Sequence, residues 1–249
     1  MIRIKKKDEI KRMVKASEIL SEAFESIKKT IAPGITTKDI EDIVEEIVLS
    51  KGAKLTFKGY RGYPAGICVS VNDEVVHGIP SRQRLLKEGD IVSIDIGVTY
   101  QGYISDAAIT LPVGKVSERA QRLMDVTREA LYRGIEAARV GNRVGDISHA
   151  IQSFVEGHGY SVVRKFVGHG VGRSLHEDPQ VPNYGEPGTG VKLREGMTLA
   201  IEPMVNEGTF EVVILEDGWT AKTSDGSLSA HFEHTVLIKR TGPQILTKW

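Results

Sequence analysis

The chain has 249 residues, with 33 Lys+Arg balanced by 33 Asp+Glu and one cysteine, Cys68. Zero net charge excludes a strongly basic nucleic-acid binder and an acidic disordered tail. A lone cysteine excludes an intramolecular disulfide and fits a reducing compartment, most simply the cytoplasm. No apolar run approaches the roughly 18 residues of a membrane span. Met1-Ile-Arg-Ile-Lys-Lys-Lys has no apolar core behind its charges, so no signal peptide is expected.

Apolar residues recur at helical spacing from Ile10 through Met13, Leu20, Phe24 and Ile27 to Ile31, and the segment stops at Pro33-Gly34. Thr36 and Asp39 form a capping-box start for a second helix that ends at Lys51-Gly52. Gly59 to Pro80 reads as loops and short strands. Ile91 to Ile96 and Tyr103 to Leu111 read as strands joined by a tight turn near Gln101-Gly102. A long helix from about Ser117 to Ala138 and another carrying Ile147, Ile151 and Val155 then restart the pattern.

Gly34 and Gly141, Asp39 and Asp146, Ile47 and Phe154, and Gly52 and Gly159 are each 107 residues apart. Leu86-Lys-Glu-Gly-Asp-Ile-Val-Ser-Ile-Asp95 aligns with Leu193-Arg-Glu-Gly-Met-Thr-Leu-Ala-Ile-Glu202 at the same offset. We read two copies of one helix–helix–strands unit, over roughly 13–111 and 120–240. Two copies are too few for a solenoid, which needs at least about three. The expectation is a single α+β domain over 1–249 with pseudo-two-fold symmetry. Its strands should form a continuous antiparallel-rich sheet, with helices covering one face.

The repeat places acids where a core should be. Asp95 and Glu202 each follow an apolar strand run, and a bare charge is costly to bury there. With the turn centred between Tyr100 and Gln101, Asp95 and Asp106 would face each other directly across the hairpin. Glu202 and Glu233 repeat the logic across a longer connection, 31 residues apart rather than 11. One such acid alone would read as a turn residue or a surface ion pair. Four in symmetric positions call for two divalent cations to balance them. His169, in Val167-Gly-His-Gly-Val-Gly, is the evident imidazole donor, with small neighbours that let the backbone come close. Oxygen ligands with one imidazole suit a hydrolytic pair of Mn²⁺, Fe²⁺, Co²⁺ or Zn²⁺ ions rather than a structural zinc site.

Asp95, Asp106, His169, Glu202 and Glu233 match, in order and context, the five metal ligands of the pita-bread metallopeptidases. Gly59-Tyr-Arg-Gly-Tyr-Pro, Cys68-Val-Ser-Val-Asn, His77-Gly-Ile-Pro, Gly168-His-Gly-Val-Gly, His176-Glu and Ser227-Leu-Ser-Ala-His-Phe-Glu-His narrow the match. Over essentially the whole chain it resembles the bacterial type I methionine aminopeptidases. That resemblance implies the pita-bread fold and removal of the initiator methionine from nascent polypeptides when the second residue is small. It implies Glu202 as both ligand and general base, with His77 and His176 contacting the scissile amide. It implies Tyr60, Tyr63, Cys68 and Trp219 around the methionine side chain, and a monovalent cation near Asn72 and Ser229. Plain hydrogen bonding is the alternative for that last pair. Leu175 stands where the family often has an aromatic residue, and Arg61 where it often has a histidine. Neither departure touches a ligand.

His149, His158 and His231 read as ordinary core or surface histidines, and strand alternation points His234 away from Glu233. Lys5, Lys6 and Lys7 read first as a solvated run, with ribosomal RNA as the alternative contact. The expected partners are nascent-chain N-termini and, through that run, the ribosome; neither DNA nor membrane is expected, and the chain is expected to be a monomer. The rival enzyme is an Xaa-Pro aminopeptidase or prolidase, which usually carries an additional N-terminal domain. The rival of another class is a metal-free pita-bread binding module, which would have lost ligands.

Overall fold

The structure is a computed structural model that describes residues 2–249; Met1, the first residue of the expected domain, lies outside them. Helix α1 (Lys7–Thr30) buries Met13, Leu20, Phe24 and Ile27, the stripe its spacing predicts. Helix α2 (Thr37–Ser50) begins with the expected box: Asp39 N–H donates to Thr36 Oγ1 at 3.1 Å, and Thr36 N–H donates to Asp39 Oδ2 at 2.8 Å. Helices α3 (Glu118–Ala137) and α4 (Val144–Gly157) repeat the pair. Arg143 N–H donates to Asp146 Oδ2 at 2.7 Å, as Thr36 does to Asp39. The bridge Thr36↔Leu85 recurs as Arg143↔Lys192, both partners moved by 107 positions. The internal repeat is therefore a repeat of hydrogen bonds as well as of residues.

Among the described residues, every strand pairing is antiparallel. In the first half, Ile91–Tyr100 lies between Cys68–Val71 and Tyr103–Pro112. In the second, Thr198–Ile201 lies between Gly168–Gly170 and His234–Lys239. The expected continuous sheet is instead divided into separate ladders. Each acid of the second half sits at a break: Pro203 follows Glu202 and has no N–H to give a ladder. The halves are stitched at that seam by Glu233 N–H to Ala108 C=O at 2.9 Å. Thr235 Oγ1 adds a reciprocal clip, donating to Asp106 C=O at 2.8 Å and accepting from Asp106 N–H at 3.0 Å. One apolar cluster runs through both halves, from Phe24 and Val44 to Leu199 and Ile238. The two helix–helix–strand halves are those that the pita-bread resemblance implies.

The expected hairpin register is corrected by two residues. Gln101 and Gly102 take φ of +46° and +77°, the left-handed pair of a two-residue turn, and Tyr100 faces Tyr103. Asp95 therefore faces Ala108, and Asp106 faces Gly97. A shift of two preserves the face, so the acids become diagonal neighbours rather than opposed ones.

Lys5 is also corrected. It is 5% exposed, with Nζ 2.5 Å from Glu177 Oε2, and is unavailable to RNA. Glu177 also accepts the N–H of Arg173 at 2.7 Å, so this ion pair fastens the N-terminal segment to the loop that carries His176. Lys6 and Lys7 remain exposed. Among the described residues, no helix is long and apolar enough to cross a membrane.

Candidate metal centre

Asp95, Asp106, His169, Glu202 and Glu233 all line one cavity of about 330 Å³. Ligand atoms of Asp106, His169 and Glu233 lie within 4.8 Å of one another. His169 Nε2 is 3.4 Å from Glu202 Oε1 and 3.8 Å from Asp106 Oδ2. Its other nitrogen, Nδ1, donates to Gly170 C=O at 2.9 Å, which fixes the tautomer and leaves the Nε2 lone pair facing the acids. The flanking glycines are required by close approach. A Cβ on Gly168 would stand 2.4 Å from Ala200 O, and one on Gly170 2.3 Å from Asp178 O.

The cluster is unstable as a set of bare charges. Burial pushes the Asp95 carboxyl up to about 7, while its hydrogen bond with Asp106 pulls the other way. Burial and then the Asp95 charge push Asp106 well above the usual carboxylate range. Burial and the neighbouring acids do the same to Glu202 and Glu233. Burial holds His169 down to about 3, so it is neutral at pH 7. Among the described residues, the buried side-chain polar atoms without a partner are Asp95 Oδ1, Asp106 Oδ1, Glu233 Oε1, Asn183 Oδ1 and His231 Nε2. Three belong to the acids. Asn183 donates to Glu202 C=O at 3.0 Å, and His231 Nε2 stands 3.7 Å from Glu202 Oε2. Native structures rarely leave such atoms unsatisfied, and here they gather in one place. Oxygen-rich donors, a lone imidazole and orphaned carboxylate oxygens fit divalent metal ions.

The two further histidines flank the cavity. His77, at φ +63°, meets the Phe166 ring edge-on at 5.2 Å, and burial lowers it to about 4. His176 sits at the open mouth, its ring 4.3 Å from that of His169. Its Nδ1 is 2.7 Å from Tyr60 Oη, and burial followed by the Arg61 charge lowers its pKa. With Tyr60 Oη donating to Nδ1, Nε2 carries the N–H and is a donor.

Tyr63, Cys68 and Trp219 form the expected apolar side. Tyr63 Oη donates to Gly78 C=O at 2.9 Å, and Trp219 meets the Tyr63 ring edge-on at 5.2 Å. Cys68 faces Asp95 across the strands; burial, then the Asp95 charge, push its thiol up and leave it no nucleophile. Leu175 is buried here against the same cluster, while Arg61 stacks over Tyr60 at 5.5 Å. Phe57, Val76, Phe166 and Met204 also line the cavity and carried no signal in the sequence beyond apolarity.

His149 and His158 are exposed, and His234 is buried away from the acids, stacked on Trp249 at 4.3 Å. His231 is corrected, because it is neither surface nor satisfied core. Asn72 and Ser229 adjoin: Ser229 N–H donates to Asn72 C=O at 2.9 Å. Their side chains are engaged elsewhere, Asn72 with Asp90 and Ile91, and Ser229 Oγ with Asn206 Oδ1 at 2.9 Å.

Residues 11–240 match the profile of metallopeptidase family M24. The methionine aminopeptidase of Clostridium perfringens is 54% identical over 99% of each chain. The crystal structure of the methionine aminopeptidase from Thermotoga maritima superposes with a TM-score of 0.98 at 56% identity, covering all of both chains. The prolidase from Pyrococcus furiosus reaches a TM-score of 0.81 at 28% identity, and 65% of its chain is covered. The chain belongs to metallopeptidase family M24.

Proposed function

We propose that this protein is a methionine aminopeptidase that removes the N-terminal methionine of nascent polypeptides when the second residue is small. The observation that carries the reading is one cavity with two chemically distinct walls. Five metal-donor side chains form one wall, and Tyr63, Cys68, Leu175 and Trp219 form an apolar wall suited to an unbranched thioether. Full-length likeness to methionine aminopeptidases supports it, whereas the prolidase matched extends well beyond this chain.

Asp95, Asp106, His169, Glu202 and Glu233 would hold two divalent ions. Bound there, the ions would supply Lewis-acid polarisation and acidify water from a pKa of 15.7 towards about 7. The chain's own residues do the rest. Glu202 accepts a proton at its carboxylate and returns it to the leaving amine. His77 and His176, neutral at pH 7 because burial lowers both, donate N–H to the scissile amide as negative charge develops on its oxygen. Tyr60, besides bordering the methionine, holds His176 in the donating tautomer through the 2.7 Å hydrogen bond. For a monovalent cation, the Asn72 carbonyl and Ser229 Oγ are the oxygens on offer. We assign one catalytic domain over 1–249, a cytoplasmic monomer, with Lys6 and Lys7 the basic residues left to meet ribosomal RNA.

Release of methionine from Met-Ala-Ser and Met-Leu-Ser, with Mn²⁺ or Co²⁺ and again after chelation, tests the reading. Metal-dependent release from the alanine peptide alone is expected. Cleavage only of Xaa-Pro peptides would overturn it. In the same assay His176→Ala is expected to lower kcat about 10²- to 10³-fold while KM changes little, because the donor acts on charge that develops in the transition state. A change confined to KM would remove His176 from that role.

A further inference from the structure

The hairpin of Val212–Ile214 and Ala221–Thr223 leaves its first strand at a sheet edge. Phe210, Val213, Ile214 and Leu215 are 39%, 43%, 39% and 36% exposed. Nine large apolar side chains are exposed among the described residues, and these are four of them. Exposed apolar side chains are ordinary when scattered, but a cluster of them marks a contact surface. The surface is not flat. A groove of about 440 Å³ is lined by the apolar Phe210, Val212 and Val213 together with Arg164, Lys165 and Glu211. The Arg164 guanidinium lies 4.1 Å over the Phe210 ring and floors part of it.

Two features tie this groove to the reaction cavity. Lys165 lines both. The hairpin that walls the groove also carries Trp219, which walls the cavity, and its inner strand pairs with Glu74–Val76, the residues that lead into His77. The groove therefore borders the cavity, with Lys165 between them. Residues 207–217 hold four acids and no Lys or Arg, which makes the hairpin a poor surface for nucleic-acid phosphates.

We propose that this groove receives the substrate polypeptide itself, downstream of the bond being cut. The inference rests on the methionine-removing reading and extends it from the first two residues to the chain that follows. With the methionine in the cavity and about 3.4 Å per extended residue, the segment from about the third residue onward passes Lys165 into the groove. On the methionine-removing reading only the first two residues are specified, so the sequence that follows varies. An open groove of apolar side chains beside Arg164, Lys165 and Glu211 suits varied sequences better than shaped pockets would.

The test compares Met-Ala-Ser with an eight-residue peptide of the same first three residues followed by neutral and apolar ones, on the metal-loaded enzyme. The longer peptide is expected to show about fivefold to tenfold higher kcat/KM, through KM, which is what partial burial of one or two apolar side chains provides. Phe210→Ser and Val213→Lys, both at exposed positions, should each remove most of that gain and leave tripeptide turnover unchanged. Equal turnover of both lengths, or variants that keep the gain, would overturn the proposal and leave the methionine reading standing. No turnover of the tripeptide would overturn both. Variants that cut the long peptide normally but lose binding to ribosomes would assign the groove to a ribosomal partner and overturn the proposal.

Discussion

Replacing Glu202 by glutamine is expected to lower kcat about 10³-fold, within the range that general acid–base groups contribute, with KM nearly unchanged. The substitution keeps the volume and one carbonyl oxygen, so packing against His169 at 3.4 Å and His231 at 3.7 Å survives. What it removes is basicity. In the wild-type chain a carboxylate stands in the cavity with the other four donor side chains, and as an anion it can take up a proton. A primary amide has no comparable affinity for a proton, and a loss of 10³ corresponds to about 4 kcal/mol of transition-state stabilisation. The same change weakens one metal ligand, so the two effects must be separated. Turnover at saturating Mn²⁺, beside metal content measured on the purified variant, does so. A variant that binds two ions and remains 10³-fold slow has lost its proton carrier. A fully loaded variant with more than a tenth of wild-type kcat would show that some other group moves the proton.

The acids were legible because the repeat displayed them twice, and because strand periodicity is robust to small errors of register. The turn could be centred on residues 100–101 or 101–102 from sequence alone. Either choice keeps Asp95 and Asp106 on one face, since the two registers differ by two residues. For His231 the signal is present in the sequence. Strand alternation, which sets His234 on the opposite face from Glu233, sets His231 on the same face. The structure accordingly finds it beside Glu202, with an unpaired Nε2. Lys5 was not legible. Its partner Glu177 lies 172 positions away, and no local pattern distinguishes a lysine that folding will bury from one that water will keep. The break in the sheet at the second pair of acids was visible only as Pro203, whose missing N–H acquires meaning once its neighbours in space are known.

Thermal stability without metal is expected to fall as pH rises above about 6.5 and to stop doing so when Mn²⁺ is present. In the folded chain, burial holds protons on Asp95 up to about 7 and on Asp106, Glu202 and Glu233 well above the usual carboxylate range. The unfolded chain releases the same protons near pH 4. Over that window the folded state binds more protons than the unfolded one, so stability decreases with rising pH. The buried histidines act in the opposite sense. His77 is lowered to about 4 and His169, His231 and His234 to about 3, so the unfolded chain binds their protons first, and stability increases with pH up to about 6.5. The two groups offset each other between about pH 4 and 6.5. Above that the histidines are neutral in both states and only the acids remain. Asp106, Glu202 and Glu233, all raised by burial and by one another's charges, carry the decline past 7. Each pH unit over which the folded state alone holds one such proton amounts to about 1.4 kcal/mol, or a fall of roughly 3–5 °C in Tm for a chain of this size. Divalent ions at the cluster remove the cause, because ligand carboxylates are ionised in the loaded fold, and metal binding strengthens as pH rises. Tm measured at pH 6.5, 7.5 and 8.5, in EDTA and in Mn²⁺, should show two curves that diverge upward in pH. Asp106→Asn, which cannot ionise and removes one charge from beside the other acids, should make the EDTA curve shallower and shrink the gap to the Mn²⁺ curve. Parallel curves for the wild-type chain would mean that the buried acids are not what the metal engages.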